Sequence, residues 1–358
     1  VMVRAENHMN WSTGKFETQG LVASVIPYRE LKGSYEAPYQ FTTDKNHRGD
    51  VGFATGGGAP ECAWAEDGTC GVLQDFAPNT RVKITARISD EVGGWFKGRI
   101  KNPLISVSRS VPGMNDITVE AAPAEVPRMV YQTSLSSLSA TERKYAMDNG
   151  IAGLWDKSIK SWARAGDPTT FAYVNYLRRK ISDRTAGVNT FWNFTSSKQE
   201  SSNPCLADTS RVLGIVTTNA MVYDGGIPKF SNGFLDYQVA GMHYQPDGFT
   251  KVEGSYDLVM RSEVARCLYG FANAPLSATI SVIGGGNRSI ATTIVSEKNG
   301  WLKLAAYGFT FSKKTIRAKI TRAKPTRIAC VSVSDESKVR NIRAINPKCP
   351  KGFTRKTS

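Results

Sequence analysis

The chain has 358 residues, 41% hydrophobic and 10% aromatic, and its 46 Lys and Arg against 31 Asp and Glu give a net charge of +15. That composition excludes a disordered chain, and no apolar run approaches the roughly 18 residues that a membrane-spanning helix requires. The length exceeds one ordinary core and points to two or three domains of about 100 to 150 residues each.

The chain begins at Val1 and not at methionine, so its N-terminus is either processed or trimmed, and processing would fit a removed secretion signal. Six cysteines, Cys62, Cys70, Cys205, Cys267, Cys330 and Cys349, form an even set with no CxxC pair. Structural zinc takes four Cys or His ligands in close pairs. The only histidines are His8, His47 and His243, and none is spaced to join a cysteine pair. The expectation is therefore no metal and no cofactor, and disulfides made in an oxidising compartment.

In chain order, the tripeptide RGD at residues 48–50 sits in a turn-like context and is assigned no function. The stretch ECAWAEDGTCG follows, with Glu66, Asp67 and Gly68 supplying turn residues that a Cys62–Cys70 bond would close. The other expected pairs are Cys330 with Cys349 and, by remainder, Cys205 with Cys267. In TRVKITARI, Val82, Ile84, Ala86 and Ile88 alternate with Arg81, Lys83, Thr85 and Arg87, the period of a half-buried strand. If GGWFKGRIKNP is also extended, Lys97, Arg99 and Lys101 fall on one side, so the two strands share an outward basic face. That face reads either as a solvated sheet surface or as an anion-binding site.

A helical segment comes next. Ser139 and Glu142 have capping-box spacing. Trp155, Ile159 and Trp162 recur at helical spacing, and DPTTFAYVNYLRRKI places Pro168 at a first helical position with Phe171, Val174, Leu177 and Ile181 on one stripe. Past the polar loop NFTSSKQESSNP, short apolar runs punctuated by Gly, Pro and Asn have the spacing of a sandwich. The GGG at residues 284–286 reads as a hairpin turn, because no Lys plus Ser/Thr follows it as in a phosphate loop.

The fold expected is mainly β: two β-sandwich, immunoglobulin-like domains at 1–134 and 187–324, a helical segment at 135–186, and a basic disulfide-stapled module at 325–358. The blocks EVGGWFKGRIKNPL (91–104) and EVARCLYGFANAPL (263–276) align without a gap, which raises the reading that the two sandwiches are related.

Charge is concentrated at the C-terminus. Residues 313–358 hold 14 Lys and Arg against Asp335 and Glu336, a net +12 that leaves +3 for residues 1–312. Lys338, Arg340, Arg343, Lys348, Lys351, Arg355 and Lys356 are the expected anion-binding residues, on a hairpin-like module closed by Cys330–Cys349. The expected partner is an anionic cell-wall polymer or polysaccharide. Nucleic acid is disfavoured by the disulfides and by the lack of regular aromatic platforms.

The segments TTNAMVYDGG, YDLVMRSEVARCLYGF, NGWLKLAAYGFTFS and the ending RIACVSVSD through NPKCPKGF resemble a family of secreted or surface proteins of Actinobacteria, most clearly over residues 205–358. The resemblance implies an extracellular or cell-surface location. It brings no established activity, so it transfers no catalytic residue.

The chain contains no HExxH, GxSxG, phosphate loop or dinucleotide fingerprint. Acidic pairs in AEDG, SDE and YQPDG read as turns, with a carboxylate-pair glycoside-acting enzyme as the least favoured reading. Two non-enzymatic readings remain. One is a structural surface-layer or filament-type subunit that self-assembles and is held by its cationic tail. The other is a glycan-binding or adhesive module using Tyr237, Tyr244 and Phe249 as sugar-stacking rings.

Overall fold

In the computed structural model the described residues are 2–4, 8–10, 12, 15–17, 21–30, 62–64, 70–89, 94–129, 135–148, 164–166, 168–196, 201–270, 276–284, 292–311, 314–322, 326–344 and 347–356. The chain is mainly β. Its first strands are β1 (Met2–Arg4), β2 (His8–Asn10), β3 (Lys15–Glu17), β4 (Val22–Ile26), β5 (Tyr28–Glu30), β6 (Cys62–Trp64), β7 (Cys70–Leu73), β8 (Val82–Ser89), β9 (Trp95–Ser108) and β10 (Met114–Arg128). The middle holds α1 (Ala140–Asp148), β11 (Arg164–Gly166), α2 (Pro168–Lys180) and β12 (Gly187–Ser196). Then come β13 (Gly214–Thr218), β14 (Val222–Asp224), β15 (Lys229–Ser231), β16 (Phe234–Ala240), β17 (Glu253–Arg261), α3 (Ser262–Tyr269), β18 (Leu276–Ile283), β19 (Thr292–Lys298), β20 (Trp301–Thr310) and β21 (Lys314–Arg322). The chain ends in β22 (Thr326–Ser332), β23 (Val339–Ala344) and β24 (Phe353–Arg355).

β9 and β10 are long enough to serve two neighbourhoods each. The first part of β9 pairs with β12 and, in parallel, with β13, whereas its later part pairs with β10. β10 pairs with β8 along its first part and with β12 at its end. The pairings β9 to β10, β10 to β12 and β12 to β9 therefore close a ring. Phe96, Ile100, Ile117, Val119, Trp192 and Phe194 fill its core. Gly98 is what lets the ring close: a Cβ there would lie 2.2 Å from the Asn193 carbonyl oxygen and 2.6 Å from Phe194 Cα, both backbone atoms.

From β13 the sheet continues through β17 and β20 to β19. Strands expected from sequence in the first and the second sandwich domain thus share one ten-stranded sheet, because β13 adds in parallel to β9. A second sheet of six strands runs β11-β14-β16-β21-β18, with β15 on β16. Its Leu235, Tyr237 and Ile316 share a core with Tyr256, Leu258 and Leu304 of the first sheet. The Cys205–Cys267 bond ties the loop before β13 to α3, at a Cα separation of 5.7 Å.

The helical grammar is observed. The Ser139 amide donates to Glu142 Oε2 at 3.0 Å and the Glu142 amide to Ser139 Oγ at 3.3 Å, which satisfies two amides at the start of α1. The Phe171, Val174 and Leu177 stripe of α2 is buried against Met221, Val222, Ala240 and Met242. The Trp155, Ile159 and Trp162 stripe and the RGD tripeptide lie outside the described residues.

Two expectations are corrected. The blocks that align by sequence fold differently: 95–104 belong to strand β9, but Ser262–Tyr269 form helix α3. Val264, Ala265 and Leu268 give the second block a helical apolar face, and Gly270 ends it in the left-handed region at φ 65°. The duplication reading therefore fails. The shared basic face fails at Arg99. Arg81, Lys83 and Arg87 of the β8 region are exposed as the alternation requires, and Lys101 is exposed too. Arg99, however, is only 2% exposed, because the turn from β13 into β14 covers that face of β9 and its carbonyls take the guanidinium.

Candidate anion-binding module

Residues 326–356 build a three-stranded antiparallel sheet with β22 in the centre, between β23 and β24. Ile328, Cys330 and Ser332 on alternate positions of β22 are buried, and the Cys330–Cys349 bond joins the central strand to the segment before β24, with Cα atoms 5.6 Å apart. The module is thus a small sheet where sequence indicated a hairpin. Below about 40 residues such a unit needs a cross-link, because it buries too little apolar surface. Closing a loop of this length contributes about 3 kcal/mol in the chain-entropy model.

All seven expected cations, Lys338, Arg340, Arg343, Lys348, Lys351, Arg355 and Lys356, are exposed. Asp335 offsets one of them: its carboxylate accepts from Lys338 Nζ at 3.0 Å. Among the described residues the other six have no acidic partner. They do not all share one face. Arg340 and Arg355 both stand opposite Cys330, on the side where the Arg340 guanidinium lies 4.8 Å from the Phe353 ring centroid. Arg343 stands on the other side, directly opposite Arg327. Arg327 is an exposed cation that sequence reasoning missed, since only strand pairing shows the two arginines together. Like charges directly opposed across strands repel, and a bound anion would relieve that repulsion.

The aromatic trio does not form one surface. Tyr237 is corrected from surface to core: it is 0% exposed and its hydroxyl donates to the Asp224 carbonyl at 2.8 Å. Alternation along β16 turns Leu235, Tyr237 and Val239 inward together. Tyr244 is half-buried and bridges Arg184 and Lys251. Phe249 alone stands out, 77% exposed, at the tip of a loop that Asp247 braces by accepting from the Phe249 and Thr250 amides. Asp335 likewise accepts from the Ser337 amide at 3.1 Å, so Asp247 of YQPDG and Asp335 of the SDE at 334–336 hold turns, and the acids of the SDE at 89–91 lie outside the described residues. The acids of AEDG lie outside the described residues, as do the side chains of Cys62 and Cys70. On the backbone, Cys70 stands opposite Trp64 and Cys62 opposite Val72 in the β6–β7 pair.

Below the Phe249 loop is a charged cluster with no sequence signature. Ser182 and Asp183 leave α2 in the left-handed region, at φ 51° and 56°. The Asp183 carboxylate accepts from Arg178 Nε at 3.0 Å and Nη2 at 2.9 Å, and it meets His243 Nδ1. Burial alone would raise this carboxyl, but the His243 and Arg178 hydrogen bonds outweigh it and hold it at about 2. A folded-state value below the unfolded one, about 3.9, gives stability that is present above pH 4 and lost as pH falls toward 2. The contribution is on the order of 2 kcal/mol. Asp183→Asn is therefore expected to flatten the acid limb of a stability-against-pH curve over that window, as measured by denaturant midpoints.

No protein-family model matches the chain, and no curated protein or solved structure is significantly similar to it.

Proposed function

We propose that this chain is a non-enzymatic secreted protein of a cell envelope, held on an anionic wall polymer by its C-terminal module. The observation that carries the reading is the set of exposed cations on a cross-linked sheet, six of them with no acidic partner among the described residues. Concentrated exposed charge attracts polyanions over a Debye length of about 8 Å at physiological salt. The two disulfides among the described residues are consistent with an oxidising compartment, and no helix among those residues is long and apolar enough to cross a membrane. The resemblance to actinobacterial surface proteins points the same way. A structural, self-assembling subunit would use the paired sheets for stiffness and the tail for attachment.

The test compares the full chain with one ending at Ala323 for retention on purified cell wall. Loss of retention in the shortened chain supports the reading, and equal retention of the two ends it. A second reading, glycan binding, is favoured by the exposed Phe249 on its braced loop. It requires that Phe249→Ala abolish binding on a glycan array.

A further inference from the structure

Away from the tail, three side chains meet where β9, β17 and β20 come together. Asp257 of β17 is 1% exposed. Its Oδ2 accepts from the Asn102 amide at 3.0 Å and its Oδ1 from the Tyr307 hydroxyl at 2.5 Å. Lys303 of β20 lies 3.6 Å from Asp257 Oδ1, but its Nζ donates to Oδ1 of the Asn102 side chain. Asn102 occupies a bulge in β9: the β10 register shifts between Glu120 and Ala122, and Asn102 adopts φ 55°. A bulge re-aims a side chain, and this one turns an asparagine carboxamide onto a lysine amine.

An ordinary buried ion pair would bring amine and carboxylate into direct contact. Here the amine rests on the carboxamide while the carboxyl stands beside the amine and holds the backbone amide of the same asparagine. We propose that Lys303 and Asn102 join in an intramolecular isopeptide bond, with Asp257 as the proton-transferring group. The reaction needs no oxidant, reductant or co-reactant. The uncharged Nζ donates its electron pair to Asn102 Cγ, and the carbonyl π pair moves onto Oδ1. The uncharged Asp257 carboxyl delivers its proton to the carboxamide nitrogen and takes one from Nζ, so it ends as it began. The Cγ–Nδ2 bond then breaks, its electron pair leaves with that nitrogen as ammonia, and the carbonyl re-forms. One N–C bond is made and one is broken.

The surroundings suit this chemistry. Burial pushes the Asp257 carboxyl up and the Lys303 amine down, so both groups move toward the uncharged forms that the first step uses. Fixed placement of amine and amide on packed strands replaces a bimolecular encounter. The Arg81 guanidinium donates to the Asn102 backbone carbonyl at 3.4 Å and holds the bulge. Asn102 is exposed on its outer side, which gives ammonia a way out. The product would be a covalent strut between strands 201 residues apart in sequence. It stands independently of the tail's role.

The experiment is the intact mass of the full chain, unfolded and reduced, followed by a protease map. The expected mass is lower than the sequence mass by one ammonia, with a branched peptide joining the fragments that hold Asn102 and Lys303. Lys303→Arg and Asn102→Ala should each restore the sequence mass, and Asp257→Asn should leave the chain linear. A wild-type chain at its full sequence mass, or an ammonia loss mapped to any other residue, overturns the proposal. Complete cross-linking in Asp257→Asn overturns the role given to the carboxyl. The deciding reading is made on the wild-type protein, so it does not depend on whether a variant folds.

Discussion

Arg99→Met is expected to destabilise the fold by about 3–5 kcal/mol, because three backbone carbonyls inside the fold lose a charged donor, at about 1–3 kcal/mol for each one left unsatisfied. Arg99 donates from Nη1 to the carbonyls of Thr218 and Ala220 and from Nη2 to that of Met221 at 3.0 Å, and its guanidinium lies 4.4 Å from the Tyr223 ring centroid. Those carbonyls belong to the end of β13 and the turn that leads into β14, so one side chain holds the corner where the chain passes from the first sheet to the second. Methionine keeps the volume and withdraws the donors. Arg99→Lys should recover only part of the loss, because a single ammonium cannot reproduce the planar fork. Urea unfolding measures both, and a shift below about 1 kcal/mol for Arg99→Met would show that these contacts are dispensable.

The second large effect is expected at the ring seam. Gly98→Val should cost at least about 3 kcal/mol, since overpacking against backbone cannot be relieved by a rotamer change. Phe194 is paired with Gly98, and the atoms nearest the added carbon are the Asn193 carbonyl oxygen and Phe194 Cα. The seam must open for β9 and β12 to accept it, which uncovers Phe96 and Trp192 in the ring core. A Gly98→Val protein with native-like thermal stability would mean that the ring does not close through this contact.

The local grammar of the chain was readable in advance, and its long-range closure was not. Alternation from Val82 to Ile88 predicts β8 because a half-buried strand repeats every two residues, and the Ser139–Glu142 spacing predicts the start of α1. Cys330–Cys349 reads as a local pair and Cys205–Cys267 follows by remainder among fifteen connectivities, and both bonds are present. Period alone does not say which side of a strand faces water. Arg99 therefore reads as an outward cation until the Thr218–Met221 turn is seen lying over that face of β9. Tyr237 fails for the same reason, since β16 presents that side to the shared core. The meeting of Asn102, Asp257 and Lys303 has no local signal at all, because each residue comes from a different strand. Arg327 was readable as charge, but its position opposite Arg343 depends on the register of β22 and β23.

The central claim, that the C-terminal module anchors the protein by exposed charge, is tested most directly by binding to a purified poly(glycerol phosphate) wall polymer across salt concentrations. The comparison is between the full chain and a variant with Lys338, Arg340, Arg343, Lys348, Lys351, Arg355 and Lys356 all changed to Gln, each first checked for a folded circular dichroism spectrum. For the full chain, affinity should fall by about 1,000-fold or more between roughly 50 and 200 mM salt, the behaviour of a protein that releases counterions from six or more phosphate contacts. The Gln variant should bind weakly and with little dependence on salt. Equal affinity of the two proteins, or full-chain binding indifferent to salt, would contradict the account.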